Sequence, residues 1–298
     1  MSAQPAISVV VPVRNMAAEL PDCLTALTRQ SCASFEIVVV DNGSTDASLE
    51  VAAQFPVRVF KEPLPGAAAA RNRGIEAALA PVIAFTDADC TPARNWLRGL
   101  LTEFADPDVT VVAGGMTPLV QEASPLATYS SLIAQYDAAA TLSHARFPYA
   151  PTANVAVRKQ VLLEAGRFDS AFMTYEGADL FYRMHLKGLL RSRVVNRAMV
   201  FYKTRADVQG FVRQNYRYGQ GYGRFCHRYQ AALDPANLRF QARLSGWRSR
   251  ITVGFSKIDA AETHFSKAAM KRLHFAREVA QFCGVLRWRL LGPAEPES

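Results

Sequence analysis

The chain has 298 residues, half of them hydrophobic and a fifth charged, an ordinary globular composition that can bury one large core or two modest domains. Its net charge of +8 is unevenly divided: residues 1–150 hold 9 Lys or Arg and 15 Asp or Glu, whereas residues 151–298 hold 25 and 11, which favours an anionic partner bound by the second half. The five cysteines include no Cys-x-x-Cys pair and no apolar run approaches the roughly 18 residues that cross a bilayer, which argues against a disulfide framework, a zinc site and a membrane span.

Four apolar, β-branched runs predict strands within the first 85 residues. They lie at residues 7–13, 35–40, 57–60 and 82–85, and the segments between them predict helices at about 20–28, 47–54 and 67–79. Because strand and helix alternate with short loops, we predict a parallel α/β sheet wound in the usual right-handed sense. Beyond it we expect a strand at 109–113 that ends in a Gly114-Gly115 turn, and helical structure over 123–147.

Polar clusters follow three of these strands. They are Arg14-Asn15, residues 41–46, and the pair Asp87 and Asp89. In such sheets ligands bind outside the carboxyl ends of the strands, so we expect the clusters to converge at one edge. Two carboxylates there suit a divalent cation or a sugar hydroxyl, although this pair alone would equally fit a solvated turn.

The order and spacing of these segments resemble the family 2 glycosyltransferases with the GT-A fold. The matching segments are residues 8–15, 35–46, 66–74 and 83–89, and the resemblance covers roughly residues 6–220. It implies a Rossmann-like, mostly parallel central sheet flanked by helices. We therefore expect a transferase domain over 1–235, with a nucleotide-binding half at about 1–115 and an acceptor half at about 116–235, followed by a basic amphipathic helical tail over 236–298.

The resemblance implies a nucleotide-diphosphate sugar as the donor and assigns residues to it. Asp41 would bind the base, Asp87 the ribose or a metal ion, and Asp89 an Mg²⁺ or Mn²⁺ ion that bridges the phosphates. Asn154 would either touch the donor or close a turn. The donor-binding residues implied in the first 160 positions are Pro12, Arg14, Asn15, Asp41, Ser44, Arg71, Asp87, Ala88 and Asn154.

The chain departs from the family pattern at the catalytic base. Relatives carry a Gly-Glu-Asp-x-Asp-Leu motif, and alignment on Asp179 puts Gly177 where the basic aspartate is expected. We predict that Glu176 acts as the base, with Asp179 one turn away; alternatively the base is absent and turnover is slow or nil. Lys203 stands where many relatives have a histidine near the metal, which puts the metal requirement in question.

The second half of the chain is basic and aromatic. Gln214, Arg217 and Tyr218 resemble the Gln-x-x-Arg-Trp motif of membrane polysaccharide synthases, which covers the donor diphosphate; a solvated basic helix is the alternative. The helical tail would lie on an anionic membrane or pack on its own domain. No groove-reading motif accompanies the charge, so we expect no nucleic-acid partner.

These features predict an inverting glycosyltransferase that moves a sugar from a nucleotide-diphosphate donor, UDP by family frequency, to a hydroxyl acceptor. The acceptor is expected to be a glycan or lipid-linked species in envelope synthesis. The N-terminus lacks the basic region and apolar core of a signal peptide, so we expect a cytoplasmic protein, peripheral on the inner face of the membrane. The alternative is a degenerate transferase that binds a nucleotide sugar or a partner protein without turnover.

Overall fold

The computed structural model describes residues 4–32, 34–119, 124–133, 138–144, 147–204, 207–229, 240–261, 263 and 265–291. The chain divides into two compact units. The first comprises Met1–Thr117 and Tyr136–Tyr202, and the second comprises Pro118–Gln135 and Lys203–Ser298. The expected acceptor half is thus divided between the two units.

The strands of the described residues form one eight-stranded sheet. In chain order they are β1 (Ile7–Val13), β2 (Phe35–Asp41), β3 (Arg58–Lys61), β4 (Val82–Phe85), β5 (Cys90–Pro92), β6 (Val111–Leu119), β7 (Val155–Arg158) and β8 (Ser192–Lys203). The strand order is β3-β2-β1-β4-β7-β6-β8-β5. The four strands predicted first, β1 to β4, form the parallel part, whereas β7 pairs antiparallel with both β4 and β6. The expected α/β fold with a Rossmann-like parallel half is confirmed.

The helices of the described residues flank this sheet or build the second unit. They are α1 (Leu20–Thr28), α2 (Ser48–Ala52), α3 (Ala67–Ala77), α4 (Trp96–Glu103), α5 (Pro125–Ile133), α6 (Ala138–Leu142), α7 (Lys159–Ala165), α8 (Glu176–Leu186), α9 (Val208–Arg228), α10 (Phe240–Ala260) and α11 (Lys267–Leu291). None of these helices is both long and apolar enough to span a bilayer.

The sheet is buried on both faces, as its apolar strands predict. Val9 and Val11 of β1 pack in one core cluster with α1 and α4, whereas Val10 packs in a second cluster with α3 and α8. Successive side chains of a strand point to opposite faces, so one continuous apolar run serves both layers.

Glu36 joins three parts of the sheet edge. Its carboxylate accepts hydrogen bonds from the Ser8 hydroxyl at 2.5 Å, the Leu79 N–H at 2.6 Å and the Arg58 guanidinium at 2.6 Å. Burial alone would raise the pKa of Glu36, but these donors lower it below its ordinary value. The ionised carboxylate therefore stabilises the folded sheet.

In the second unit, α9 and α11 pack side by side in the same direction. Gln281 donates to the Asn215 side chain at 3.0 Å, and further along Gly223 faces the backbone of residue 285. A Cβ on Gly219 would lie 2.0 Å from the Gln281 carbonyl oxygen, and one on Gly284 would lie 2.1 Å from the carbonyl oxygen of residue 216. These glycines of α9 and α11 are required by the close approach of two backbones.

Candidate active site

The loops after β1 and β2 are bound to each other at the carboxyl edge of the sheet. Asn15 adopts a left-handed backbone conformation with φ 53°. Its side-chain oxygen accepts a hydrogen bond from the Thr45 N–H at 2.8 Å, and its own N–H donates to the Ser44 hydroxyl at 3.0 Å. Two of the predicted polar clusters therefore meet, as expected for parallel strands that end at one edge.

Asp41 is the last residue of β2 and is almost wholly buried. One of its oxygens accepts a hydrogen bond from the Ser44 N–H at 3.2 Å. The neighbouring Asn42, which sequence analysis did not single out, donates to the carbonyl oxygens of residues 62 and 64, and its oxygen accepts from the Gly66 N–H at 2.7 Å. Asn42 thus shapes the loop that leads into α3, and only its place after a strand end could have drawn attention to it.

Arg71 occupies the centre of the site. It lies on α3 and is 3% exposed, and its two terminal nitrogens reach Asp87 Oδ1 at 2.7 Å and Glu176 Oε1 at 2.6 Å. Burial would lower the pKa of Arg71, but the two carboxylates raise it above its ordinary value, so the guanidinium stays charged. A single cation therefore joins the Asp-x-Asp segment to the start of α8.

Asp87 and Asp89 flank the buried Ala88 just after β4, and both are partly exposed. Arg71 engages Oδ1 of Asp87. The thiols of Cys23 and Cys90 lie nearby, but burial, assisted by both aspartates, raises the pKa of each well above its ordinary value, so both stay protonated.

The residues present fit a hard divalent cation that shares its coordination with a ligand. The described part of the chain holds no group of three or more His, Cys, Asp or Glu side chains that would enclose a metal ion. Two carboxylates at a sheet edge instead match Mg²⁺ or Mn²⁺, which commonly bind through one or two carboxylates together with substrate phosphates.

Glu176 and Asp179 stand one turn apart on α8 but have different surroundings. Glu176 is the first residue of the helix and bonds to Arg71, as described above. Asp179 is fully buried and accepts a hydrogen bond from Arg183 Nε at 2.8 Å. The same guanidinium donates to the carbonyl oxygens of residues 165 and 167, which fastens α8 to the end of α7. Asp179 is thus bound to Arg183 in the interior, whereas Glu176 shares Arg71 with Asp87 of the Asp-x-Asp segment.

Gly177 faces Thr152. A Cβ at this position would lie 2.9 Å from the Thr152 Cγ2 methyl, closer than Cβ contacts normally come. At the position where the family has an aspartate, this chain has a glycine, and the Thr152 methyl leaves little space for a larger side chain.

Asn154 lies just before β7 and is bound to residues of α4, β6 and β8. Its oxygen accepts a hydrogen bond from the Trp96 indole N–H at 2.7 Å, and its amide nitrogen donates to the carbonyl oxygens of Gly115 at 2.6 Å and Ala198 at 2.8 Å. The side chain is fully buried. Its amide is thus occupied by three structural hydrogen bonds, and we leave it out of the donor site proposed below.

The remaining predicted residues are found in two places. Pro12 is a half-buried residue of β1, and Arg14 is exposed just after that strand. Gln214, Arg217 and Tyr218 lie on α9 of the second unit, where the Gln214 amide donates to the Tyr218 hydroxyl at 3.2 Å.

Two family profiles match the sequence. Glycosyl transferase family 2 matches residues 8–142, and Glycosyl transferase family group 2 matches residues 82–294. The second match alone covers more than half of the chain and includes both the Asp-x-Asp segment and α8.

Curated relatives agree with this. A pre-mycofactocin glycosyltransferase of Mycobacterium tuberculosis is 33% identical over 221 residues, which cover 72% of this chain and 46% of the relative. The glycosyltransferase AglE of Haloferax volcanii is 30% identical over 193 residues, 61% of each chain. The chain therefore spans about half to three fifths of the length of these relatives.

Solved structures share the fold. The mannosyltransferase PcManGT of Pyrobaculum calidifontis, in complex with GDP-Man and Mn²⁺, has a TM-score of 0.67 at 17% identity and covers 97% of this chain and 88% of its own. TarS of S. aureus in complex with UDP has a TM-score of 0.52 at 17% identity, covering 95% and 91%. At this identity they show the fold alone. The two family profiles, one of which spans residues 82–294, establish that the chain belongs to the family 2 glycosyltransferases.

Proposed function

We propose that the protein is an inverting glycosyltransferase that moves a sugar from a nucleotide-diphosphate sugar, with UDP the leading candidate, to an acceptor hydroxyl. The observation that carries the proposal is the Arg71 bridge, which holds Asp87 and Glu176 on one cation at the carboxyl edge of the parallel strands. The donor side would use Asp87 and the acceptor side Glu176, and both carboxylates bind the same guanidinium.

The donor would be held by the loops at this edge. We assign the binding of the nucleotide base to Asp41 and the loop residue Ser44. The segment 12–15 would line the opposite side of the donor site. Asp89, together with Asp87, would hold Mg²⁺ or Mn²⁺, which supplies Lewis-acid stabilisation of the departing diphosphate when bound. The complexes of similar fold with GDP-Man and Mn²⁺ and with UDP support this choice of donor class and metal.

Glu176 would act as the general base. As the acceptor oxygen attacks the anomeric carbon, a new bond forms between them, the bond from that carbon to the diphosphate breaks, and the acceptor proton passes to the carboxylate. Arg71 bonds Oε1 of Glu176, so we assign the proton to Oε2. Attack from the face opposite the leaving group inverts the configuration of the sugar.

The second half of the chain would supply the acceptor side of the site. We assign Gln214, Arg217 and Tyr218 of α9 to the diphosphate and the acceptor end, and propose a glycan or lipid-linked acceptor of envelope synthesis. The strongly basic second half of the chain supports an anionic acceptor or surface. We further propose that the protein works in the cytoplasm, peripherally on the inner face of the membrane through its C-terminal helices.

A second candidate is a degenerate transferase that binds nucleotide sugar or a partner protein without turnover. Two observations favour it: Gly177 stands at the family's base position, and Asp179 is committed to Arg183. Donor hydrolysis and transfer should therefore be measured for wild type, Glu176→Gln and Asp89→Ala with UDP-, GDP- and dTDP-sugars, with and without Mn²⁺.

The two variants are expected to lose different properties. We expect Glu176→Gln to lose turnover while still binding donor, and Asp89→Ala to lose the response to Mn²⁺. Full activity in Glu176→Gln would refute the base assignment. Donor binding by an inactive wild type would establish the degenerate transferase instead.

A further inference from the structure

A cleft lies at the C-terminal ends of α9 and α11, within the second unit. Its volume is about 350 Å³, and it is lined by Arg224, His227, Arg228 and Trp288. The His227 and Trp288 rings approach with centroids 5.1 Å apart. None of these four residues belongs to the donor site proposed above.

Close packing of the two helices creates this cleft. Because α9 and α11 run in the same direction, their C-terminal ends lie together. A Cβ on Gly223 would stand 3.3 Å from the Cβ of Trp288, so glycine lets the base of the indole side chain lie against α9. The aromatic wall is thereby placed beside the basic last turn of α9, which holds His227 and Arg228.

The charged residues in the parts of α9 and α11 that flank the cleft are all basic. The residues of α9, 208–228, include four arginines and no Asp or Glu, and residues 279–291 of α11 add two more arginines and again no acid. Cations do complement the negative end of a helix dipole. That role needs no tryptophan and no cleft, so the dipole alone does not account for the arrangement.

We propose that this cleft binds the phosphate-bearing headgroup of an anionic membrane lipid. Arginine forms bidentate hydrogen bonds to phosphate while its aliphatic stem lies along apolar surface, and tryptophan is favoured where an apolar and a wet phase meet. Leu290, two residues beyond Trp288, is 79% exposed and would enter the acyl region. A volume near the lower end of small-ligand sites suits a headgroup. The proposal deepens the peripheral membrane contact proposed above and is independent of donor chemistry.

The test is flotation of the full chain with vesicles. Phosphatidylcholine vesicles would be compared with vesicles that contain about 30 mol% phosphatidylglycerol, at roughly 0.1 M salt where the Debye length is about 10 Å. We expect binding only to the anionic vesicles. One cation near such a surface changes binding about fivefold, so Arg224→Gln/Arg228→Gln should weaken it by at least about tenfold.

A matched pair separates the cleft from net charge. Arg213 and Arg272 are exposed on the earlier parts of the same two helices, so Arg213→Gln/Arg272→Gln removes the same charge away from the cleft. We expect this pair to weaken binding less than about threefold, since a charge further than a Debye length from the surface is screened. Trp288→Ala, which keeps every charge, should weaken binding as the cleft pair does.

Several results would overturn the proposal. They include an equal loss of vesicle binding in the two double-arginine variants, unchanged binding in Trp288→Ala, and no binding of wild type to anionic vesicles. Release of bound protein by inorganic phosphate at the lipid phosphate concentration would also overturn it, because it would indicate a site for free phosphate. Should Arg224→Gln/Arg228→Gln fail to fold, Arg224→Lys/Arg228→Lys loses the bidentate contact while keeping the charge, and should still weaken binding severalfold. Donor hydrolysis without vesicles should be unchanged in every variant, so failure of the donor proposal remains distinguishable.

Discussion

Replacing Arg71 with methionine removes the cation between Asp87 and Glu176 while keeping a long side chain at a buried position. The Glu176 side chain is 12% exposed, so the loss of its charge-assisted hydrogen bond costs about 1.5–3 kcal/mol. The Asp87 side chain is 35% exposed and can be rehydrated, so its ion pair adds at most about 1 kcal/mol. We therefore expect a loss of about 1.5–4 kcal/mol, which for a chain of this length corresponds to a Tm decrease of roughly 2–6 °C.

The matched control is Arg73→Met. Arg73 lies two residues further along α3, its side chain is 41% exposed, and it pairs with Glu76 at 3.7 Å. The Arg73 guanidinium also lies over the Phe60 ring, 5.2 Å from its centroid, so this substitution should cost no more than about 1 kcal/mol. Thermal unfolding followed by circular dichroism measures both variants. Equal Tm values for Arg71→Met and Arg73→Met would refute the bridge as a stabilising element.

The same variants test the link to the donor. Without Arg71, Asp87 loses the contact that orients it, so we expect the affinity for UDP with Mn²⁺ to fall about tenfold, as for a lost charge-assisted hydrogen bond of about 1.4 kcal/mol. Calorimetric titration measures this affinity, and Arg73→Met should leave it unchanged. An unaltered affinity in folded Arg71→Met would show that Asp87 needs no orientation by Arg71.

Three further substitutions test the packing around the site. Asn154→Ala leaves the Trp96 indole N–H and two carbonyl oxygens without their buried partner. We therefore expect chemical denaturation to show a loss of about 3 kcal/mol or more in the free energy of unfolding, with donor affinity unchanged in the folded fraction. A large loss of donor affinity would return Asn154 to the donor site. Glu36→Gln should lower the free energy of unfolding by about 1.5–3 kcal/mol at pH 7. The pKa of Glu36 is lowered in the folded chain, so its ionised form stabilises the fold at pH values above the ordinary pKa of 4.5, and this stabilisation is lost as the pH falls. In denaturation curves recorded well below that pH the difference from wild type should disappear, and a difference that persists there would contradict the assignment. Gly177→Asp should lower the free energy of unfolding by about 1–3 kcal/mol, because its side chain crowds the Thr152 methyl. Adding Thr152→Ser to the same chain should restore most of this stability in thermal melts. No recovery would show that the strain lies elsewhere.

Apolar runs predicted the parallel half of the sheet closely, because a strand buried on both faces leaves an unbroken β-branched signature. The prediction of a turn at Gly114-Gly115 was wrong: β6 continues through both residues to Leu119. A Cβ on Gly114 would lie 2.1 Å from the carbonyl oxygen of Ala198, so the glycine admits a neighbouring backbone. A glycine required by such an approach and a glycine required by a turn look the same in one sequence.

The candidate site was predictable by residue but not by partner. Resemblance picked out Arg71, Asp87 and Glu176, yet Arg71 and Glu176 are 105 positions apart and only the fold brings them together. Polar residues at family positions were equally ambiguous, since Asn154 and Asp179 are both fully buried and bound to structural partners. Burial distinguishes polar residues that bind structural partners from polar residues that face the site. A single sequence does not give the burial of an isolated polar residue.

In the transfer reaction proposed above, the Arg71 bridge would also influence how much donor is lost to hydrolysis. One guanidinium serves two carboxylates, so a change at Asp87 alters the charge that Glu176 faces, and the reverse holds as well. In the mechanism we propose, a donor complex on Asp87 would hold that carboxylate against Arg71, and Arg71 would in turn hold Glu176 in the orientation that the acceptor needs. Orientation of the base would thus improve only when donor is present. Arg71→Lys, whose ammonium lacks the fork that reaches both carboxylates, should uncouple the two and raise the share of donor lost to hydrolysis relative to transfer. An unchanged ratio of hydrolysis to transfer in Arg71→Lys, with donor affinity retained, would refute this coupling.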